Sequence, residues 1–204
     1  MMSLAAAARA PDYPAEIVCV VSNRPNAAGL VWAREQGLAA HAIDHKAYAT
    51  REAFEEALHA ILVAEGVELV ACAGFMRLMT AGFVSRWAGR MINIHPSLLP
   101  LYPGLHTHAR ALADGVRIAG CTVHYVVAEM DAGPIIAQGA VPVVDGDTPE
   151  TLAGRILAVE HTIYPQALAL VASGAAGLEN GRVRLVSAVN QSGRLISPDL
   201  VGPG

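Results

Sequence analysis

The chain has 204 residues, of which 53% are hydrophobic and 16% charged, and its formal net charge is −4. That length suits one domain with a full core, and the composition excludes an intrinsically disordered chain. The weak acidity gives no electrostatic reason to expect nucleic acid or an anionic membrane as partner; the basic residues, all Arg except Lys46, form no run.

In chain order, Met2–Arg9 reads as a helix without the basic start of a signal peptide. The β-branched run Glu16–Ser22 reads as a strand covered on both faces. Asn26–Gln36 has helical spacing, with Gly37 where a C-cap glycine belongs. His41–Ile43 reads as a short strand. Thr50 is placed to cap a helix over Arg51–Glu65 that Gly66 ends. Val67–Ala73 and Arg90–Ile94 read as buried strands, and Cys121–Val127 and Ile135–Val144 as two more. Asp147-Thr148-Pro149-Glu150 starts a helix that runs to about Ala172, and the tail Ser192–Gly204 is expected to fray.

Strands alternating with helices predict an α/β fold, Rossmann-like, with a largely parallel sheet flanked by helices. The chain forms a single domain with no linker or internal repeat. No stretch reaches the roughly 18 to 20 apolar residues of a bilayer span, so the expected setting is cytoplasmic and away from membranes. Cys19, Cys72 and Cys121 lie in separate apolar runs and are expected to be free thiols. His41, His45 and His59 have no evident partners and are assigned to the surface, whereas His124, in a strand, is assigned to the core or to the support of a site. A monomer and a homodimer both remain open.

The chemistry concentrates in Asn93-Ile94-His95-Pro96-Ser97-Leu98-Leu99-Pro100, directly after a strand. In open α/β sheets, ligands bind beyond the carboxyl ends of strands. Alternation puts Asn93 and His95 on the same side of an extended segment, where two hydrogen-bonding groups can converge on one oxygen atom. Pro96, Pro100 and Pro103 stiffen the loop that follows. His95, His106 and His108 also suggest a metal set, which is the weaker reading.

The stretches Ala73-Gly74-Phe75-Met76-Arg77-Leu78-Met79, Asn93 to His108, Gly120-Cys121-Thr122-Val123-His124, Asp131-Ala132-Gly133-Pro134-Ile135 and Glu160-His161-Thr162-Ile163-Tyr164-Pro165 resemble the phosphoribosylglycinamide formyltransferase family. The resemblance runs from about Ala15 to Pro165. It implies transfer of a formyl group from 10-formyltetrahydrofolate to the amine of glycinamide ribonucleotide, in purine synthesis, without a metal. It also implies Asn93 and His95 as donors to the formyl oxygen, His95 as the proton source, and Asp131 as the carboxylate that favours its imidazolium. Arg51, Met76, Arg77, Leu78, Met79, Asn93, Glu129, Met130, Asp131, Ala132 and Gly133 are implied on the folate side. Glu160 and His106 are implied on the substrate side.

Family members begin with a strand and a Gly-Ser-Asn loop that holds the substrate phosphate, and nothing here matches that pair. The resemblance therefore implies a sheet lacking its first strand and phosphate loop, and a natural chain longer by roughly 20 to 25 residues. Two other enzymes that use the same formyl donor are less well matched. Methionyl-tRNA formyltransferase needs a C-terminal RNA-binding domain, and formyltetrahydrofolate hydrolase an N-terminal regulatory one. A folate-binding remnant without full activity is the third alternative.

Overall fold

A computed structural model describes residues 1–186 and Ser197; the rest of the tail expected to fray lies outside the described residues. The first half runs α1 (Met2–Ala7), β1 (Cys19–Ser22), α2 (Ala28–Glu35), β2 (Ala39–Ala42), α3 (Arg51–Ala64), β3 (Val70–Cys72) and α4 (Ala81–Arg86). The second half runs β4 (Met91–His95), α5 (Thr107–Ala113), β5 (Ile118–Tyr125), β6 (Ile135–Pro142), α6 (Pro149–Ala172), β7 (Ala176–Glu179) and β8 (Arg182–Leu185). The α/β fold is as expected. Its pairing is parallel for β1 with β2 and β3 with β4, then antiparallel from β4 through β5 to β6.

Local chemistry sets the helix starts. The Thr50 hydroxyl accepts the Ala53 N–H at 3.1 Å and opens α3. Thr148 and Thr151 cap α6 reciprocally, and Pro149 occupies its first turn, where a missing N–H costs nothing. Strand β4 shows why its sequence is continuously apolar: Met91 and Ile92 are both fully buried but belong to opposite core clusters. One cluster joins Ile92 to Leu4 of α1 and to Tyr164 and Leu168 of α6. The other joins Met91 to Phe54 and Leu58 of α3 and to Phe83 and Val84 of α4. The sheet is thus sandwiched between two helical layers.

Strands β1 and β3 fall furthest short of the sequence reading, whereas β6 loses only its last two residues, ending at Pro142. β1 begins at Cys19 rather than Glu16, and β3 covers only Val70–Cys72 of the expected Val67–Ala73. The cause is a break in the sheet. β1 pairs only with β2, while β3 begins a separate four-stranded sheet ordered β3-β4-β5-β6. Residues 16–23 and 67–75 face each other across a slot of about 260 Å³, floored by Leu4, Ile43, Phe54, Leu58 and Leu168 and reached by Met1. Without a neighbour, the ends of these strands have no ladder to define them.

The three thiols are free as expected, and burial pushes Cys72 and Cys121 up to about 12. His41, His45 and His59 are partly exposed, and what is corrected is the expectation that they have no partners. The ring of His41 contacts the Glu65 carboxylate at 2.8 Å, and that of His45 meets Asn23. His59 stands edge-on to the Trp87 ring at 5.8 Å between centroids. Their partners come from other elements, which local sequence does not reveal. Among the described residues no helix is long and apolar enough to cross a membrane.

Candidate active site

Strand β4 ends on His95, and its register with β5 sets what faces the site. Asn93 lies opposite His124 and His95 opposite Thr122. The buried Thr122 hydroxyl donates to the Ser97 carbonyl at 2.7 Å and accepts from the Leu99 N–H at 3.0 Å. Gln138 of β6 donates to the Leu99 carbonyl and to Thr122, each at 3.0 Å. This network clamps the loop after His95 onto the sheet.

The His95 ring is buried. Its Nε2–H donates to the Tyr102 carbonyl at 2.9 Å, while Nδ1 lies 3.5 Å from Asp131 Oδ2. The same Asp131 oxygen accepts the Gly104 N–H at 2.8 Å, tying together the two turns that flank the histidine. Both turns use left-handed backbone, with φ of 55° at Tyr102, 76° at Gly104 and 53° at Asp131. Gly133 lets the Asp131 turn lie against the end of β5. A Cβ there would sit 1.7 Å from the Tyr125 carbonyl oxygen and 3.3 Å from His124 Nδ1.

His124 joins the set from below. Its Nδ1–H donates to the Tyr125 carbonyl at 2.9 Å, so Nε2 is the acceptor and takes an N–H from Asn93 at 3.4 Å. Nε2 is also 3.9 Å from Asp131 Oδ1. Burial pushes His124 below the ordinary imidazole range, opposed by its bond to the Tyr125 backbone and by Asp131, and reinforced by His95. A neutral His124 is what the Asn93 contact requires. Asn93, His95 and Asp131, the trio expected from sequence, are therefore brought together, with one Asn93 N–H still free of this network.

Chemically, the cluster offers an imidazole, a carboxylate and an amide donor in one partly desolvated corner. Such a corner can stabilise negative charge on an oxygen and move a proton. Among the described residues, no group of three His, Cys, Asp or Glu side chains is arranged to hold a metal. A model of the family described as Formyl transferase matches residues 1–168. The chain belongs to the formyl transferase family.

Relatives of this formyl transferase agree. It is 44% identical over 155 residues to the phosphoribosylglycinamide formyltransferase of Escherichia coli strain K12, covering 76% of this chain and 73% of that one. It is 47% identical over 184 residues to the trifunctional purine biosynthetic protein adenosine-3 of Bos taurus. That match covers 90% of this chain but only 18% of the bovine protein. The crystal structure of glycinamide ribonucleotide transformylase 1 from Symbiobacterium toebii superposes with a TM-score of 0.88 at 47% identity, over 91% of this chain and 87% of that one.

The remaining residues expected in the site lie on several different elements. The β3–α4 loop carries Met76 and Leu78 with their side chains mostly exposed, beside half-buried Arg77. Met79 packs on the core cluster of α3 and α4, so only part of this loop is free to meet a ligand. Glu129, Met130 and Ala132 are exposed on the turn that presents Asp131. Arg51 is exposed at the first position of α3, and His106 is exposed at the N-cap of α5. Glu160 of α6 is half-buried; burial raises its carboxyl above the usual range, and the nearby Met1 ammonium opposes the shift. Burial lowers the imidazole of His108, and the charge of His95 lowers it further.

Sequence reasoning did not single out Thr122, Gln138 or the supporting contact of His124. Only strand register places them, although a His and a Thr alternating in one buried strand, Thr122-Val123-His124, is a signal that points two polar groups to one face.

Proposed function

We propose that this chain transfers a formyl group from 10-formyltetrahydrofolate to the amine of glycinamide ribonucleotide, in de novo purine synthesis. The observation that carries the reading is the convergence of Asn93, His95 and Asp131 at the end of β4, with His124 holding Asn93. The names of the Escherichia coli and Symbiobacterium toebii relatives supply the acceptor.

The reaction forms a bond between the substrate amine and the formyl carbon and breaks the bond from that carbon to a folate nitrogen. Charge gathers on the formyl oxygen, the amine loses a proton and the folate nitrogen gains one. His95 Nε2–H already points at a carbonyl oxygen, that of Tyr102. A formyl oxygen taking that place receives the same hydrogen bond, with the free Asn93 N–H as second donor. Asp131, against Nδ1, stabilises the imidazolium that delivers the proton. Because the ring is buried, ligand entry requires the Tyr102–Gly104 turn or the Asp131 turn to move.

The exposed apolar side chains of Met76, Leu78 and Met130 suit the flat pterin ring, with Arg77, Ala132 and Gly133 beside them and Glu129 and Arg51 available to its polar periphery. Glu160 and His106 serve the substrate side.

The acceptor is tested by supplying labelled 10-formyltetrahydrofolate with either glycinamide ribonucleotide or charged initiator tRNA. Label appearing on the ribonucleotide alone is the expected result. Transfer to the tRNA, or to neither acceptor, would overturn the proposal.

A further inference from the structure

Helix α3 contains a carboxylate that the chemistry above leaves unused. Glu55 is 4% exposed and follows Phe54, a member of the apolar cluster between α3 and α4. A buried carboxylate needs compensating donors. Here both come from one residue: the Thr80 N–H donates to Oε1 at 2.7 Å, and the Thr80 hydroxyl donates to Oε2. Both carboxylate oxygens are thus held by a single amino acid 25 positions away in the chain.

Capping of α4 does not account for this arrangement. Thr80 caps that helix itself, its hydroxyl oxygen accepting the Phe83 N–H at 3.2 Å. What Glu55 adds is a tether on the end of the β3–α4 loop. The loop leaves β3 at Cys72, turns through left-handed Gly74 with φ of 69°, exposes Met76 and Leu78, and ends on Thr80. Arg51 lies one helical turn before Glu55, so the two project from the same side of α3. The face of α3 that offers Arg51 to a ligand is therefore the face that fixes the far end of the loop.

We propose that Glu55 is a positioning residue for the folate pocket, setting the β3–α4 loop relative to Arg51 through its two bonds to Thr80. The inference rests on the reading of Met76–Met79 as part of that pocket. A carboxylate is required because only a group with two acceptor oxygens and no donor can take both Thr80 hydrogens. In Glu55→Gln, one of those donors faces an NH2 group instead.

The test compares the wild-type chain with Glu55→Gln, Thr80→Val and Thr80→Ser, measuring equilibrium binding of tetrahydrofolate, steady-state kinetics with both substrates, and thermal unfolding. The expected result is a rise of about tenfold in the folate Kd and KM for Glu55→Gln and Thr80→Val. Their kcat and their KM for glycinamide ribonucleotide stay within about twofold of wild type. Thr80→Ser, which keeps the hydroxyl, restores folate binding. Unchanged folate binding in Glu55→Gln overturns the inference, as does a fall in Tm with equal losses in kcat and both KM values, which marks a purely structural carboxylate. A wild-type chain that binds no tetrahydrofolate overturns the folate reading itself, and this inference with it.

Discussion

Asp131 and His124 divide the work of holding the site. One Asp131 oxygen accepts a backbone N–H from the Gly104 turn and stands against the His95 ring, so losing it would loosen a loop and remove a charge together. His124 acts through Asn93, and only while neutral. Because burial sets its folded-state pKa below the unfolded value, the unfolded chain takes up the proton first as pH falls. Stability from this group is therefore present above the ordinary imidazole pKa of about 6.5 and is lost as pH falls below it toward the lower folded value. His124→Phe should flatten that part of the Tm-against-pH curve and lower kcat about tenfold by freeing the Asn93 amide. A curve and a kcat matching wild type would contradict this account of His124. The placement of Asn93 and His95 together at the end of β4 was legible because strand alternation is local. His124 was legible only as a core or supporting residue, and its partner, like the parts of Thr122 and Gln138, was not, because these relations exist only through the β4–β5–β6 register.

Element boundaries were legible where the signal is local and failed where it depends on a neighbour. Asp147-Thr148-Pro149-Glu150 announces α6, and the helix begins there and ends at Ala172. The Asp147 carboxylate binds the Arg155 guanidinium at 2.8 and 2.9 Å and accepts the Val144 N–H at 2.9 Å. Arg155 first, then that backbone bond, hold the carboxyl well below the usual carboxylate range. A depressed carboxylate contributes stability above its unfolded pKa of about 3.9 and loses it as pH falls toward its folded value. Asp147→Asn should lower Tm at pH 7, with the gap closing below about pH 4. A gap that persists unchanged in acid would show that the ion pair is not its source. By contrast, the β7–β8 hairpin was not anticipated, although Asn180-Gly181 has the left-handed pair, φ of 50° and 74°, typical of its turn. Helix α4, at six residues, is too short to display a helical period.

At the scale of the whole molecule, the sheet is divided between β1 and β3 among the described residues. The edges of β1 and β3 that face the slot have no ladder partner among the described residues. Each unpaired, buried backbone group costs about 1 to 3 kcal/mol. The corner that holds Asn93, His95 and Asp131 is built by β4, β5 and the two flanking turns. The most direct measurement of the account is therefore the single-turnover rate of formyl transfer to glycinamide ribonucleotide by the wild-type chain and by His95→Ala. Loss of both the oxyanion donor and the proton source should slow transfer by about three orders of magnitude or more. A His95→Ala chain that transfers formyl at the wild-type rate would contradict the central claim.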